Sequence, residues 1–293
     1  YQTSFYDQNF NNMRLNTDLY FSNSHLTSTV HKEIKSNISY QVIIGHFNDH
    51  LINNLNINKS KLLRDKFCKA GCKNIIAYFD EGWQNDNRFY MGKDDLVNEY
   101  RYLFKLIINN PDIGVIIKPK IASNLDVILK PIIKLMKQAM NTNRCYIINE
   151  KSSQIITIVS MAADLTVHSM LGAATVGVQS ILCGTPTIFY DPDNIDSSIF
   201  YKITSNKVVF NDLSILWHNV SEYFENKIHK LGDVSEIIDL IDPYRDDQTL
   251  KRFFFYIEHL NKSYNSGLSK SEAIKNTNEI FANKWGKDKI FST

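Results

Sequence analysis

The chain has 293 residues, with 33 Lys and Arg against 31 Asp and Glu, a formal net charge of +2, and 43 % hydrophobic and 22 % charged residues. These fractions are those of an ordinary globular protein and exclude a disordered tail, a collagen-like chain and a small disulfide scaffold. The near-balanced charge argues against a dedicated nucleic-acid binder, and the length allows roughly two domains.

The first forty residues are rich in Asn, Ser, Thr and Tyr and show no sustained period. They read as irregular structure or as the remnant of a preceding domain. The chain opens on Tyr1 rather than Met, as a piece of a longer protein would. A short apolar run, Tyr40 to Ile44, ends at Gly45. The spacing predicts a helix over 59–70, stopped by Gly71. Lys59, Lys61, Arg64, Lys66, Lys69 and Lys73 crowd this stretch against Asp65 alone. Two readings fit: a solvated helix face, and a basic surface turned towards a membrane or an acceptor.

From Asn74 the pattern alternates. Short apolar strands are predicted at 74–79 (NIIAYF), 113–117 (IGVII), 145–148 (CYII), 165–167, 186–190 and 208–210, with helices over 93–109, 125–140, 153–162 and 173–182. Such alternation predicts an α/β fold, a parallel sheet with helices on both faces joined by right-handed connections. From about Leu250 onward the pattern is helical only.

Cys68, Cys72, Cys145 and Cys183 form no disulfide framework, which points to a reducing, cytoplasmic setting. No His or second Cys pair follows at zinc spacing, and His46-Phe-Asn-Asp49-His50 lacks a second cluster, so no metal is expected. The run 165–190 carries no Asp, Glu, Lys or Arg, but a Gly184-Thr185-Pro186 break makes it a buried strand–helix–strand rather than a membrane span.

In a parallel α/β sheet, ligands bind outside the carboxyl ends of the strands. The residues that follow each strand are therefore the candidates: Glu81 and Gly82, Lys118 and Lys120, Glu150, His168 and Ser169, then Ala174, Thr175 and Gly177, and finally Asp191. Small residues entering a helix let backbone approach a ligand, and first-turn N–H groups favour a phosphate. Tight helix–strand packing is the other use for Gly172 and Gly177. Lys118 and Lys120 suit a diphosphate, or are ordinary exposed lysines. His168 is a phosphate donor or acid, or a core histidine. The absence of a Walker lysine, a G-x-G-x-x-G and a G-x-S-x-G excludes a P-loop NTPase, a dinucleotide dehydrogenase and an elbow-type hydrolase.

The stretch from Ala163-Asp164 to Asp191 resembles the donor-binding region of GT-B glycosyltransferases, closest in flavour to bacterial surface and capsular polysaccharide enzymes. Gln179 stands where that pattern has a Glu for the ribose hydroxyls, followed by Gly184 and Pro186. Val42–Asp49, Ile116–Lys120 and Asp242–Asp247 (DPYRDD) resemble further segments of the family in the same order. The resemblance implies a Rossmann-like, nucleotide-sugar-binding domain over 71–245. Residues 1–70 would be an N-terminal domain remnant and linker, and helices 246–293 would pack back across the domain junction.

It further implies metal-independent, inverting sugar transfer from a nucleotide-sugar co-substrate, with no other cofactor, to a glycan or lipid-linked glycan acceptor. Peripheral association with the inner face of the membrane stays open. Donor binding would use Gly82, Lys118, Lys120, Glu150, His168, Ser169, Ala174, Thr175, Gly177, Gln179 and Asp191, with Glu81 and His168 as catalytic candidates. The alternatives are a nucleotide-sugar 2-epimerase, a polyol-phosphate transferase of the same fold, and a non-catalytic binding or assembly module.

Overall fold

The computed structural model describes Asp7 and residues 14–82, 92–149, 152–226 and 230–292. Two compact units emerge, one built from residues 1–50 together with 237–293, the other from residues 51–236. The sequence-based boundaries lay at 70/71 and 245/246.

The first unit begins with β1 (Asn16–Ser22), α1 (His25–Glu33) and β2 (Asn37–Ile43). β1 and β2 pair in parallel, from Asn16 against Asn37 to Ser22 against Ile43. The region expected to be irregular is therefore a strand–helix–strand. Its composition misled because the first half of β1 is exposed or half-buried, and only Tyr20 to Ser22 are buried.

The second unit follows as α2 (Asn54–Lys69), β3 (Asn74–Phe79), α3 (Lys93–Asn109), β4 (Ile113–Lys118), α4 (Leu125–Ile128), α5 (Ile133–Asn141), β5 (Cys145–Ile147), α6 (Ser153–Ala162), β6 (Leu165–His168), α7 (Thr175–Leu182), β7 (Thr187–Tyr190), β8 (Val209–Phe210) and α8 (Leu213–Asn226). α2 starts five residues before the sequence-based estimate, because the Asn53 side chain caps it by accepting from the Asn56 N–H. The helix expected over 125–140 is interrupted by a 3₁₀ turn at Lys130–Ile132, where Pro131 supplies no N–H.

The six strands form one parallel sheet in the order β5-β4-β3-β6-β7-β8. Alternation along β3 feeds two cores. Ile76 and Tyr78 face Leu96, Tyr100, Leu103 and Phe104 of α3 and Leu216 and Val220 of α8. Ile75, Ala77 and Phe79 face Leu63 and Phe67 of α2 and Ile158, Val159 and Ala162 of α6. The expected parallel sheet with helices on both faces is the one observed. Among the described residues no helix is long and apolar enough to cross a membrane, and the uncharged run 165–190 folds as β6, α7 and β7.

The chain then returns to the first unit with α9 (Ile238–Ile241), α10 (Thr249–Asn265), α11 (Lys270–Trp285) and β9 (Ile290–Ser292). The purely helical ending was expected, yet β9 closes the small sheet, antiparallel to β2. Phe21, Val42, Ile44, Tyr256 and Phe281 form this unit's core. The DPYRDD segment works here. Asp242 accepts from the His46 N–H at 3.0 Å, and Arg252 grips Asp246 with two bonds of 2.7 and 2.8 Å. Arg252 also donates to the Ile44 carbonyl at 2.6 Å and stacks over Tyr244 at 3.6 Å. Gly45 has φ +94, and a Cβ there would meet Thr249 Oγ1 at 2.7 Å. Only glycine fits this turn.

Candidate functional site

Numbered within the second unit, the strand order is 3-2-1-4-5-6, and it reverses direction between β3 and β6. The crevice outside the carboxyl ends of these two strands is the topological switch point, where open α/β sheets place ligands. The residues around it come from three strand ends.

β3 delivers Asp80, Glu81 and Gly82. Asp80 is buried and accepts the Tyr100 hydroxyl at 2.5 Å and the Lys120 N–H at 2.7 Å. Burial pushes its pKa up, opposed by those two hydrogen bonds, by the Lys118 charge and by the Gly82 N–H. One carboxylate thus fixes the turns after both β3 and β4. Gly82 has φ +73, which lets the chain bend there. The Glu81 N–H donates to Ser169 Oγ at 2.9 Å, bridging the two sides of the switch point. The Glu81 carboxylate forms an ion pair with Lys120. Partial burial lowers the Lys120 pKa, and the Asp80 charge counteracts this.

Beneath Asp80 lies a buried acid that the sequence reading did not single out. Glu99 of α3 accepts the Tyr78 hydroxyl at 2.7 Å, and burial drives its pKa well above the carboxylate range. Its Oε1 has no hydrogen-bond partner among the described residues. Tyr78 and Tyr100 meet edge to face at 5.3 Å. A signal existed: Glu99 sits three residues after Leu96 and four before Leu103, on the apolar stripe of α3.

On the β6 side, Met170 to Ala174 lead into α7, which has no side-chain cap at Ala174. Gly172 is exposed and Thr175 half-buried in the first turn. The first-turn N–H groups of a helix have no intrahelical partner and face outward from its end, an arrangement suited to an anion.

The remaining candidates lie deeper. Lys118, Phe79, His168 and Phe189 are in-register neighbours on four adjacent parallel strands, so their side chains share one face. The His168 ring is stacked on Phe79 at 4.9 Å and tilted against Phe189 at 5.4 Å, with Nε2 at 3.4 Å from Ser180 Oγ. Burial pushes its pKa down to about 3, which keeps it neutral. Gly177 lies over this row, and a Cβ would come within 2.2 Å of Phe189 Cε1. Its lack of a side chain therefore serves helix–sheet packing.

Gln179 is buried and donates to the Ser153 carbonyl at 2.8 Å and to Thr157 Oγ1 at 2.7 Å, tying α7 to α6. Asp191 is buried beyond β7 and accepts from the Ile195 N–H at 2.7 Å and the Tyr201 hydroxyl at 2.6 Å. Lys118 is buried, and its Nζ donates to the Pro119 carbonyl at 2.7 Å. Glu150 lies outside the described residues. The structure thus gathers Glu81, Gly82, Lys120, Ser169 and the 172–175 loop at the switch point, and sets His168, Gly177, Gln179 and Asp191 into the framework behind it.

Among the described residues no group of three or more His, Cys, Asp or Glu could hold a metal ion. In the His46–His50 stretch, the Asp49 carboxylate accepts from Thr249, and His50 Nδ1 lies 3.0 Å from the Phe47 carbonyl.

No family model matches this sequence, and neither does any curated protein. Solved structures do match its fold. The chain is similar to Anabaena HepE (Alr3699), solved with UDP and glucose, at 15 % identity and a TM-score of 0.50, over 86 % of this chain and 63 % of that one. It is similar to a protein designated a UDP-N-acetylglucosamine 2-epimerase from Listeria monocytogenes, at 12 % identity and a TM-score of 0.52, over 86 % and 60 %. The wall teichoic acid polymerase TagF matches at 13 % identity and a TM-score of 0.50, over 86 % and 59 %. The chain spans about three fifths of the length of these structures. At such identities the shared property is the fold, the GT-B-type α/β architecture that the sequence resemblance implied.

Proposed function

We propose that this chain carries the donor-binding unit of a GT-B-type glycosyltransferase, which moves a sugar from a nucleotide-sugar donor to a surface glycan without a metal ion. The observation that carries the reading is the convergence at the switch point. An uncapped helix N-terminus, a run of small residues and Lys120 meet there around one crevice. The donor's phosphates lie over residues 172–175 and near Lys120. Fixed N–H dipoles and an ammonium group there stabilise the nucleotide as it leaves. Ser169 and Glu81 face the sugar side, and Asp80 holds both turns in place. His168, Gln179 and Asp191 act by fixing α7 and the end of β7.

The likeness to an epimerase at a TM-score of 0.52 favours one other reading of the same site, in which donor alone is the substrate. Incubation with donor and no acceptor separates the two. Epimerisation gives a new nucleotide sugar, and a transferase leaves the donor intact or hydrolyses it slowly.

The test is a thermal-shift panel with UDP, CMP, GDP and CDP at about 1 mM on the natural sequence and on Lys120→Ala. A ligand at a hundredfold excess over its Kd stabilises by about 2.7 kcal/mol, a rise of about 5–10 °C for a unit of this size. One nucleotide raising the midpoint, with the rise diminished in Lys120→Ala, is the expected result. No shift with any of the four overturns the reading in favour of a non-catalytic binding module.

A further inference from the structure

We propose that the outward face of α2, together with Tyr146 on the sheet-edge strand β5, is a docking surface for an anionic phospholipid bilayer. The proposal stands independently of the reaction assigned above. It starts from what the structure does with the basic run of 59–73. Arg64 is committed to Asp164 at 2.8 Å and to the Ala162 carbonyl at 3.0 Å, and Lys73 pairs with Asp112 at 2.7 Å. Lys59, Lys61, Lys66 and Lys69 are exposed.

Their placement on the helix is not uniform. Leu55, Lys59, Leu62, Lys66 and Lys69 follow one another at spacings of four, three, four and three. At 100° per residue these five positions fall within an arc of about 80°. Leu55 and Leu62 are 60 % and 65 % exposed, while Asn56, Ser60, Leu63 and Phe67 fill the buried face. A solvated helix face needs no leucines in the middle of its lysines. Alternating apolar and cationic side chains on one stripe match a surface that is itself apolar below and anionic above.

The stripe continues across the unit. Lys66 lies over the Tyr146 ring at 5.9 Å, and Tyr146 is 49 % exposed. Between them opens a cavity of about 460 Å³, with Leu63, Ile147, Ile155 and Ile158 among its lining residues and Lys59 and Lys66 beside them. An exposed tyrosine flanked by lysines over apolar side chains is the side-chain set found at the lipid–water boundary. The lysine ammonium groups are compact point charges that suit lipid phosphates.

The experiment is co-sedimentation of the chain with vesicles of phosphatidylcholine alone and of phosphatidylcholine mixed with phosphatidylglycerol. An anionic soluble polysaccharide serves as the competing probe. Each lysine at an anionic surface contributes about fivefold in affinity, so Lys59→Glu with Lys66→Glu, a change of four charges, lowers binding by several hundredfold. Leu55→Ser with Leu62→Ser lowers it by about tenfold or more. Raising the salt from about 0.1 M to about 0.5 M weakens binding to the natural sequence. All four positions are exposed, so the melting midpoints of both double variants stay close to that of the natural sequence. Binding to mixed vesicles alone, weakened in both variants, is the expected result. Failure to bind mixed vesicles, equal binding by the variants, or binding of the polysaccharide in preference to vesicles overturns the proposal.

Discussion

Gly177→Ala separates two uses of a glycine at a helix N-terminal turn, close approach to a ligand and close approach to the sheet. The added Cβ would lie 2.2 and 2.5 Å from Phe189 Cε1 and Cζ, and 3.3 Å from His168 Cδ2. The Phe189 ring has no free side to move into. It is fully buried, with Phe200 at 4.5 Å and His168 at 5.4 Å. Overpacking against a fixed ring costs about 3 kcal/mol, and replacing glycine by alanine inside a helix returns about 1. The net loss is about 2 kcal/mol, a fall of about 4–8 °C in the melting midpoint of the second unit. Urea and thermal unfolding measure it directly. Phe189→Leu in the same background makes room and gives a favourable coupling of about 1 kcal/mol or more in a double-mutant cycle. Nucleotide affinity per folded molecule stays the same. A variant as stable as the natural sequence, or one that keeps its stability but loses nucleotide binding, refutes the packing argument.

Two further outcomes follow from buried charge chemistry. His168 is neutral in the fold, with its pKa lowered to about 3, whereas the unfolded chain protonates it near 6.5. The unfolded state therefore binds the extra proton between those values. Stability contributed by this site is present above 6.5 and is lost as pH falls towards 3, at up to about 1.4 kcal/mol per pH unit. His168→Gln flattens that part of the stability–pH curve, and parallel curves for the two proteins would count against a buried neutral imidazole. In the first unit, Arg252→Met leaves the Ile44 carbonyl and Asp246 without their partner and costs about 3 kcal/mol by denaturant unfolding. Arg252→Lys recovers little of it, since an ammonium cannot match the two-pronged grip and the stacking on Tyr244. Full recovery by lysine would show that charge alone matters there.

The second unit was legible because its signals are local. β3, α3 and α6 run over the residues that the apolar runs and helical spacing marked. Each is bounded by a turn residue or a cap within a few positions. The first unit was not, since β1, β2 and β9 are half-exposed strands whose partner lies far along the chain. Ile290 pairs with Val42, and nothing within three residues of polar and apolar mixture announces it. For the site, position after a strand could be read, but not the face. His168 ends β6 as expected, yet only the register with Phe79 and Phe189 reveals that its ring joins an aromatic row. Gln179 fell where the family pattern has its acid, and the contact with Ser153 and Thr157 that occupies its amide needed α6 in place.

The discontinuous make-up of the first unit sets an order on biogenesis. By the time residue 236 has left the ribosome, every strand of the six-stranded sheet exists, whereas the small sheet still lacks the strand at 290–292. At usual rates of synthesis the interval is on the order of several seconds, long compared with the folding of a single domain. During it, β2 has one unsatisfied edge and Val42 and Ile44 wait for the helices that will cover them. The nucleotide-binding-type layer is thus formed first and stands as an insertion within a unit completed around it. A nascent chain halted after α8 should expose β2 as the segment most in need of a chaperone.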